Sequence, residues 1–191
     1  MIISKKQQFI LDNKKIILEK NKEDNKLPNL NNNIVVFTDG SFSAKNNRCG
    51  YGVFFLNDNF KSNGHKLKYQ PLTNNRAELY AVLSALKMIR ITLNNNKNDF
   101  KKIIFFVDSA YTINCYTRYP EIWKKNNWIN TNNEEVKNQD IIKNTLLLID
   151  EIKKKYKIDI DFNHVKSHTK CKDSIHLSND VVDKLATGLF K

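Results

Sequence analysis

At 191 residues, 40% of them hydrophobic, the chain is long enough for one domain with a sizeable core and some extra sequence, and it has no apolar run near the roughly 20 residues that span a bilayer. Its three cysteines, Cys49, Cys115 and Cys171, are odd in number, widely spaced and without a CxxC pair, which argues for free thiols and against a disulfide framework or a zinc site. The net charge of +12 suggests a polyanionic partner.

Lys and Asn occur 28 times each, a bias that an AT-rich genome produces without selection for binding, so the placement of the charges has to decide. No apolar stretch of about 7–15 residues follows Met1 to Lys6, as a secretion signal would require, so the expected location is intracellular, in cytoplasm or nucleus. Phe9, Ile10 and Leu11 recur seven residues later as Ile16, Ile17 and Leu18, which predicts a short amphipathic helix over about 5–22. Leu27-Pro28 and Asn31-Asn32-Asn33 then read as a linker. Residues 1–33 are therefore an N-terminal extension that packs on the main domain, 34–191, or on a partner.

Ile34-Val35-Val36-Phe37 reads as a strand buried on both faces, and it runs into Thr38-Asp39-Gly40-Ser41. A polar turn leads to Cys49 to Leu56, a second strand, and Phe60 to Tyr69 is expected as a third, all antiparallel. Thr73 to Glu78 opens a helix with Leu79, Val82, Leu83, Leu86 and Ile89 at helical spacing, closed by Asn94-Asn95-Asn96. Ile103 to Val107 is a second apolar strand ending in a carboxylate, Asp108. Short helical segments follow at Ala110 to Tyr116 and after Pro120, then a longer helix over Val136 to Tyr156 and a strand over Lys157 to Phe162. A polar loop with His164, His168 and His176 precedes a last helix, Ser178 to Phe190. The order βββ-α-β-α-α-α-β-α indicates one α/β domain with a mixed sheet.

Four acids stand where a cluster is expected: Asp39, Glu78, Asp108 and Asp183. Taken singly, each has an ordinary reading. Asp39 begins a turn with Gly40, and Glu78 closes a capping box with Asn75. Asp108 caps the helix starting at Ser109, and Asp183 is a solvated helix residue. Taken together they favour a site, because strands ending at Asp39 and Asp108 put two carboxylates side by side at one sheet edge. Such a cluster repels itself unless cations bind, and hard oxygen ligands select Mg²⁺ or Mn²⁺. In a basic protein that pattern points to a nuclease.

The motifs FTDGS (37–41), GYGV (50–53), TNNRAEL (73–79), VDSAYTIN (107–114), WKKNNW (123–128), VKN (136–138), HVKSH (164–168) and NDVVDKLA (179–186) resemble, in order and spacing, the type 1 ribonucleases H. They are most similar to the cellular, eukaryotic-like branch. The resemblance implies a ribonuclease H-like fold, a five-stranded mixed sheet with its first three strands antiparallel, flanked by helices. It implies hydrolysis of the RNA strand of RNA/DNA hybrids by a two-metal mechanism with Mg²⁺, or Mn²⁺ in its place, leaving 5′-phosphate and 3′-hydroxyl ends. Asp39, Glu78, Asp108 and Asp183 are then the metal-binding carboxylates, and His168 the mobile histidine that assists proton transfer and product release.

Substrate contacts are implied residue by residue. Asn74 and Asn75 match positions that meet the RNA strand, where a 2′-hydroxyl distinguishes RNA from DNA. Thr73 and Asn138 match a pocket for a phosphate of the DNA strand; Pro71 stands where animal enzymes have an Arg of that pocket. Tyr111 and Tyr119 match the DNA-side channel, and Lys124 and Lys125 a basic protrusion that Trp123 and Trp128 anchor. Asn127 replaces a common Gly, a change that a left-handed conformation tolerates. His65, His164 and His176 match nothing catalytic. Residues 1–33 contain no Gly and one aromatic, Phe9, so the N-terminal hybrid-binding module of many eukaryotic relatives is not expected. A monomer is expected. The rival readings are a junction resolvase or integrase-like nuclease of the same fold, and a hybrid-binding protein without catalysis.

Overall fold

The apolar run at 34–37 becomes the centre of the molecule because both of its faces find a helical layer. In the computed structural model, which describes residues 3–68, 70–95, 99–167 and 169–188, it lies in β1 (Asn33–Ser43). With β2 (Arg48–Phe55), β3 (Asn63–Lys66), β4 (Lys102–Val107) and β5 (Asp159–His164) it forms a sheet of order β3-β2-β1-β4-β5. β1 to β3 are antiparallel, and β4 and β5 continue the sheet parallel to β1. The helices are α1 (Lys5–Asp24), α2 (Asn74–Asn95), α3 (Ala110–Tyr116), α4 (Tyr119–Lys125), α5 (Gln139–Tyr156) and α6 (Ser174–Thr187).

Side chains alternate across a strand, so neighbours in sequence go to opposite layers. Ile34, Val36, Ile103 and Phe105 enter one core with Leu79, Leu86 and Ile89 of α2 and Ile142 and Ile149 of α5. Val35, Phe37, Ile104 and Phe106 enter the other with Val181, Val182 and Leu185 of α6 and Ile10 and Ile17 of α1. Phe37 stacks on Phe106 with ring centroids 4.7 Å apart. The N-terminal segment packs on the sheet and on α6: Ile17 is 1% exposed, and Asp24 accepts hydrogen bonds from the Ser174 backbone N–H (2.8 Å) and hydroxyl (2.7 Å).

Several boundaries depart from the sequence expectation. β3 is confined to Asn63–Lys66 because Phe60 turns inward to stack on Phe55, with centroids 5.1 Å apart. The long helix starts at Gln139 rather than Val136, since Asn138 is left-handed with φ 61°. α6 starts four residues early, at Ser174, because the Asp173 side chain caps it by accepting from the His176 N–H at 2.9 Å. His176 is therefore helical, and His164 belongs to β5; neither sits in the polar loop. Asn127 is left-handed as expected, with φ 50°. Trp123 lies 5.8 Å from Trp128 and 5.1 Å from Tyr119, so the tryptophans pack among themselves at the end of α4.

Candidate active site

The parallel pairing of β1 with β4 ends at Thr38 opposite Val107, which leaves Asp39 and Asp108 next to each other. β1 itself does not end at Asp39, as the sequence suggested, but runs on to Ser43 because β2 continues to pair with it, Asp39 opposite Gly52. The start of α2 lies directly on β1 here. A Cβ at Gly40 would collide with the Glu78 amide nitrogen and the Ala77 carbonyl carbon, so glycine is what lets Glu78 approach Asp39. Capping is done by hydroxyls. Thr73 Oγ1 accepts from the Arg76 N–H at 3.2 Å and Ser109 Oγ from the Thr112 N–H at 3.2 Å. Glu78 and Asp108 are thereby released from the capping roles that sequence allowed them, and neither Asn75 nor Asp108 is the cap.

One carboxylate oxygen from each of Asp39, Glu78 and Asp108 lies within 4.8 Å of the other two. Asp183, on α6, lines the same recess of about 390 Å³ outside that triad, together with Ser41, Asn74, Ser109 and Ser167. Asp39 and Glu78 are 5% and 4% exposed. Burial, with the charges of Asp108 and Asp183 added, lifts the Asp39 carboxyl to about 8. Burial, then Asp39 and Asp108, lifts Glu78 to about 10. Burial also raises Asp108, while a hydrogen bond from Ser167 and the nearby His164 oppose the rise.

Among the described residues, Glu78 Oε2 and Asp108 Oδ1 are buried without a hydrogen-bond partner. Unpartnered buried carboxylate oxygens are costly. Three carboxylates converging in one recess, with oxygen as the only donor type, fit a hard divalent cation.

Of the expected substrate-side residues, Asn74 alone lines this recess among the described residues, and Asn138 lines a separate one with Asn127 and Asp140. Asn74 is exposed, as are its neighbours Thr73 and Asn75. Asn138 Oδ1 accepts from Arg76 Nη1 at 3.3 Å, so the residue whose N–H Thr73 caps also reaches Asn138. Tyr111 is half-buried, with hydrogen-bond contacts to Cys115 and Asn138, and Tyr119 is half-buried against Trp123. Lys124 and Lys125 are exposed at the end of α4, with Lys124 Nζ 3.3 Å from Glu121. His168 lies outside the described residues; Ser167 before it lines the recess.

Sequence reasoning gave no role to Arg76, Ser167 or His164. Arg76 is 7% exposed and grips Asp140 through both nitrogens, at 3.0 and 2.5 Å, which fixes the start of α5 against the start of α2. An Arg two residues before a site glutamate was the available signal. His164 Nε2 sits 3.0 Å from the Asp108 carbonyl oxygen, steadying the backbone that carries that acid. His65 instead stands on β3 beside Tyr51, at 5.7 Å.

The RNase H family model matches residues 31–190. Ribonuclease HI of Haemophilus ducreyi is 34% identical over 155 residues, covering 79% of this chain and 86% of that protein. Among solved structures, the PFV RNase H domain superposes with a TM-score of 0.59 at 24% identity, over 81% of this chain and 92% of that one. A foamy viral protease-reverse transcriptase in complex with an RNA/DNA hybrid gives 0.57 at 23% identity, over 85% of this chain and 20% of that one. Both likenesses are of fold.

Proposed function

As this chain belongs to the ribonuclease H family, we propose that it is an endonuclease that hydrolyses the RNA strand of RNA/DNA hybrids by a two-metal mechanism. The observation that carries the reading is the convergence of Asp39, Glu78 and Asp108 within 4.8 Å, two of their oxygens buried and unpartnered. Asp39, Glu78, Asp108 and Asp183 would hold Mg²⁺ or Mn²⁺, which supplies Lewis acidity and an acidified water for phosphodiester hydrolysis. In-line attack on phosphorus then leaves a 5′-phosphate and a 3′-hydroxyl.

The remaining residues bind and orient. Asn74 and Asn75 meet the RNA strand at the mouth of the recess, and a 2′-hydroxyl there selects RNA. Thr73 and Asn138 hold a phosphate of the DNA strand, with Arg76 fixing their separation. Tyr111, Tyr119, Lys124 and Lys125 line the DNA side, and His168, beside Ser167, assists proton transfer. The acids in the recess favour hydrolysis over hybrid binding alone.

The test is a panel of labelled RNA/DNA hybrid, double-stranded RNA and four-way junction DNA, with Mg²⁺, Mn²⁺ or chelator. Hybrid cleavage confined to the RNA strand and lost with chelator is expected, and junction cleavage would favour the resolvase reading. Asp39→Asn should abolish cleavage and leave hybrid binding largely intact. Retained cleavage in that variant would sink the metal assignment.

A further inference from the structure

Ser41 lines two cavities: the acidic recess and a larger cleft of about 520 Å³ walled by the last turn of α6. The second cleft carries the opposite charge. Lys6 of α1, Arg48 at the start of β2 and Lys66 at the end of β3 line it, and among the described residues no acidic side chain does. Arg48 and Lys66 are exposed, and neither forms an ion pair among the described residues. Lys6 is held in place, donating to Gly64 O at 2.8 Å and Asn63 Oδ1 at 3.0 Å, so the N-terminal helix sets a fixed positive charge over β3.

We propose that this cleft grips a phosphodiester of the cleaved RNA strand beyond the scissile bond. The inference rests on the reading given under Proposed function. Its geometry follows from where the acids stand. Thr73, Asn138, Lys124 and Lys125 lie with α2, α4 and α5, whereas the basic cleft lies against α6, on the other side of the sheet. A strand whose scissile phosphate sits on the acids, with its complement towards α4, continues past Ser41 into the cleft. Ser41 and Ser43 add hydroxyl donors there. The carbonyl end of α6 is the negative end of its dipole, so the holding falls to the three cations facing it. A singly charged phosphodiester is small and anionic enough to be held by such a trio, and each phosphate contact adds salt dependence to binding.

The experiment compares the full chain with the double variant Arg48→Ala/Lys66→Ala and the charge-keeping Arg48→Lys/Lys66→Arg. A long hybrid is used alongside two hybrids whose RNA is trimmed on one or the other side of the cut. On the long hybrid the alanine variant should show kcat unchanged and KM raised roughly 10-fold. Its plot of log(kcat/KM) against log[salt], over about 50–200 mM, should be shallower by about 1, the loss of one phosphate contact. The charge-keeping variant should behave as wild type, and with one trimmed hybrid the difference should vanish. Equal KM and equal salt slope for the alanine variant and wild type on the long hybrid overturn the proposal, as does a defect that persists on both trimmed hybrids. Wild-type cleavage of the hybrid in the same assay keeps that result separate from any failure of the ribonuclease reading. Thermal melts of both variants check that these exposed replacements leave the fold intact.

Discussion

Replacing Asp39 by Asn should make the metal-free protein more stable, although it removes a group expected to be essential for turnover. The Asp39 carboxyl is raised in the folded state from 3.8 to about 8, by burial first and by Asp108 and Asp183 next. Because the folded protein holds this proton more tightly than the unfolded chain, stability is greatest below about pH 4. It falls as pH rises towards the folded value. At pH 7, still below that value, taking up this proton on folding costs on the order of 4 kcal/mol. The Asn amide is nearly isosteric and carries no charge, but it must find partners in a recess built of acids. The expected net gain is therefore about 2–4 kcal/mol, or roughly 5–15 °C in melting temperature for a chain of this size. Thermal unfolding in chelator should show the gap between variant and wild type widening between about pH 5 and pH 7. Added Mg²⁺ should raise the wild-type melting point and leave the variant nearly unmoved. An Asp39→Asn variant that melts at or below the wild-type temperature at pH 7 in chelator, with the same pH slope, would refute the claim that the folded recess holds Asp39 against its burial and the repulsion of its neighbours.

Gly40→Ala should cost about 1–3 kcal/mol by overpacking, since the new methyl meets backbone atoms of Ala77 and Glu78 rather than a flexible side chain. Displacing Glu78 by about 1 Å should also lower kcat on the order of 100-fold; melting curves and steady-state kinetics check both, and full activity would show that α2 does not need this contact. Ile17→Ala, at a position 1% exposed under the sheet, should destabilise by about 2–5 kcal/mol in chemical denaturation and leave kcat of the folded fraction unchanged.

Much of this architecture was readable from residues 34–41 and 103–108, because a doubly buried strand is written as an uninterrupted apolar run, and a sudden polar residue marks where the pairing of β1 with β4 stops. Two such runs, with two antiparallel strands and one helix between them, made adjacent parallel strands the simple solution, and the register from Asn33–Lys102 to Thr38–Val107 is that solution. What stayed hidden was decided between segments. Thr73 and Ser109, rather than Asn75 and Asp108, cap the helices, because a hydroxyl and an acid or amide are near-equivalent caps in sequence and the tertiary position of the acid breaks the tie. The early start of α6 depends on Asp173, whose capping is reinforced by Lys26 at 3.2 Å from a distant segment. Arg76 gained its meaning only from Asp140, 64 positions away.

The contact between α1 and α6 bears on how the chain reaches this state. Asp24 meets Ser174 across 150 positions. The apolar stripe of α1 shares its core with the sheet and with α6, so its cover is complete only after residues 174–187 have been made. Contacts of such separation form late, after loop closure has been met for nearly the whole chain. During synthesis Ile10, Ile17 and the inner face of the sheet stay exposed together, a period in which a nascent chain is open to chaperones and to aggregation. α6 is thus the helix that closes this core, and it brings Asp183 to the other three acids in the same step.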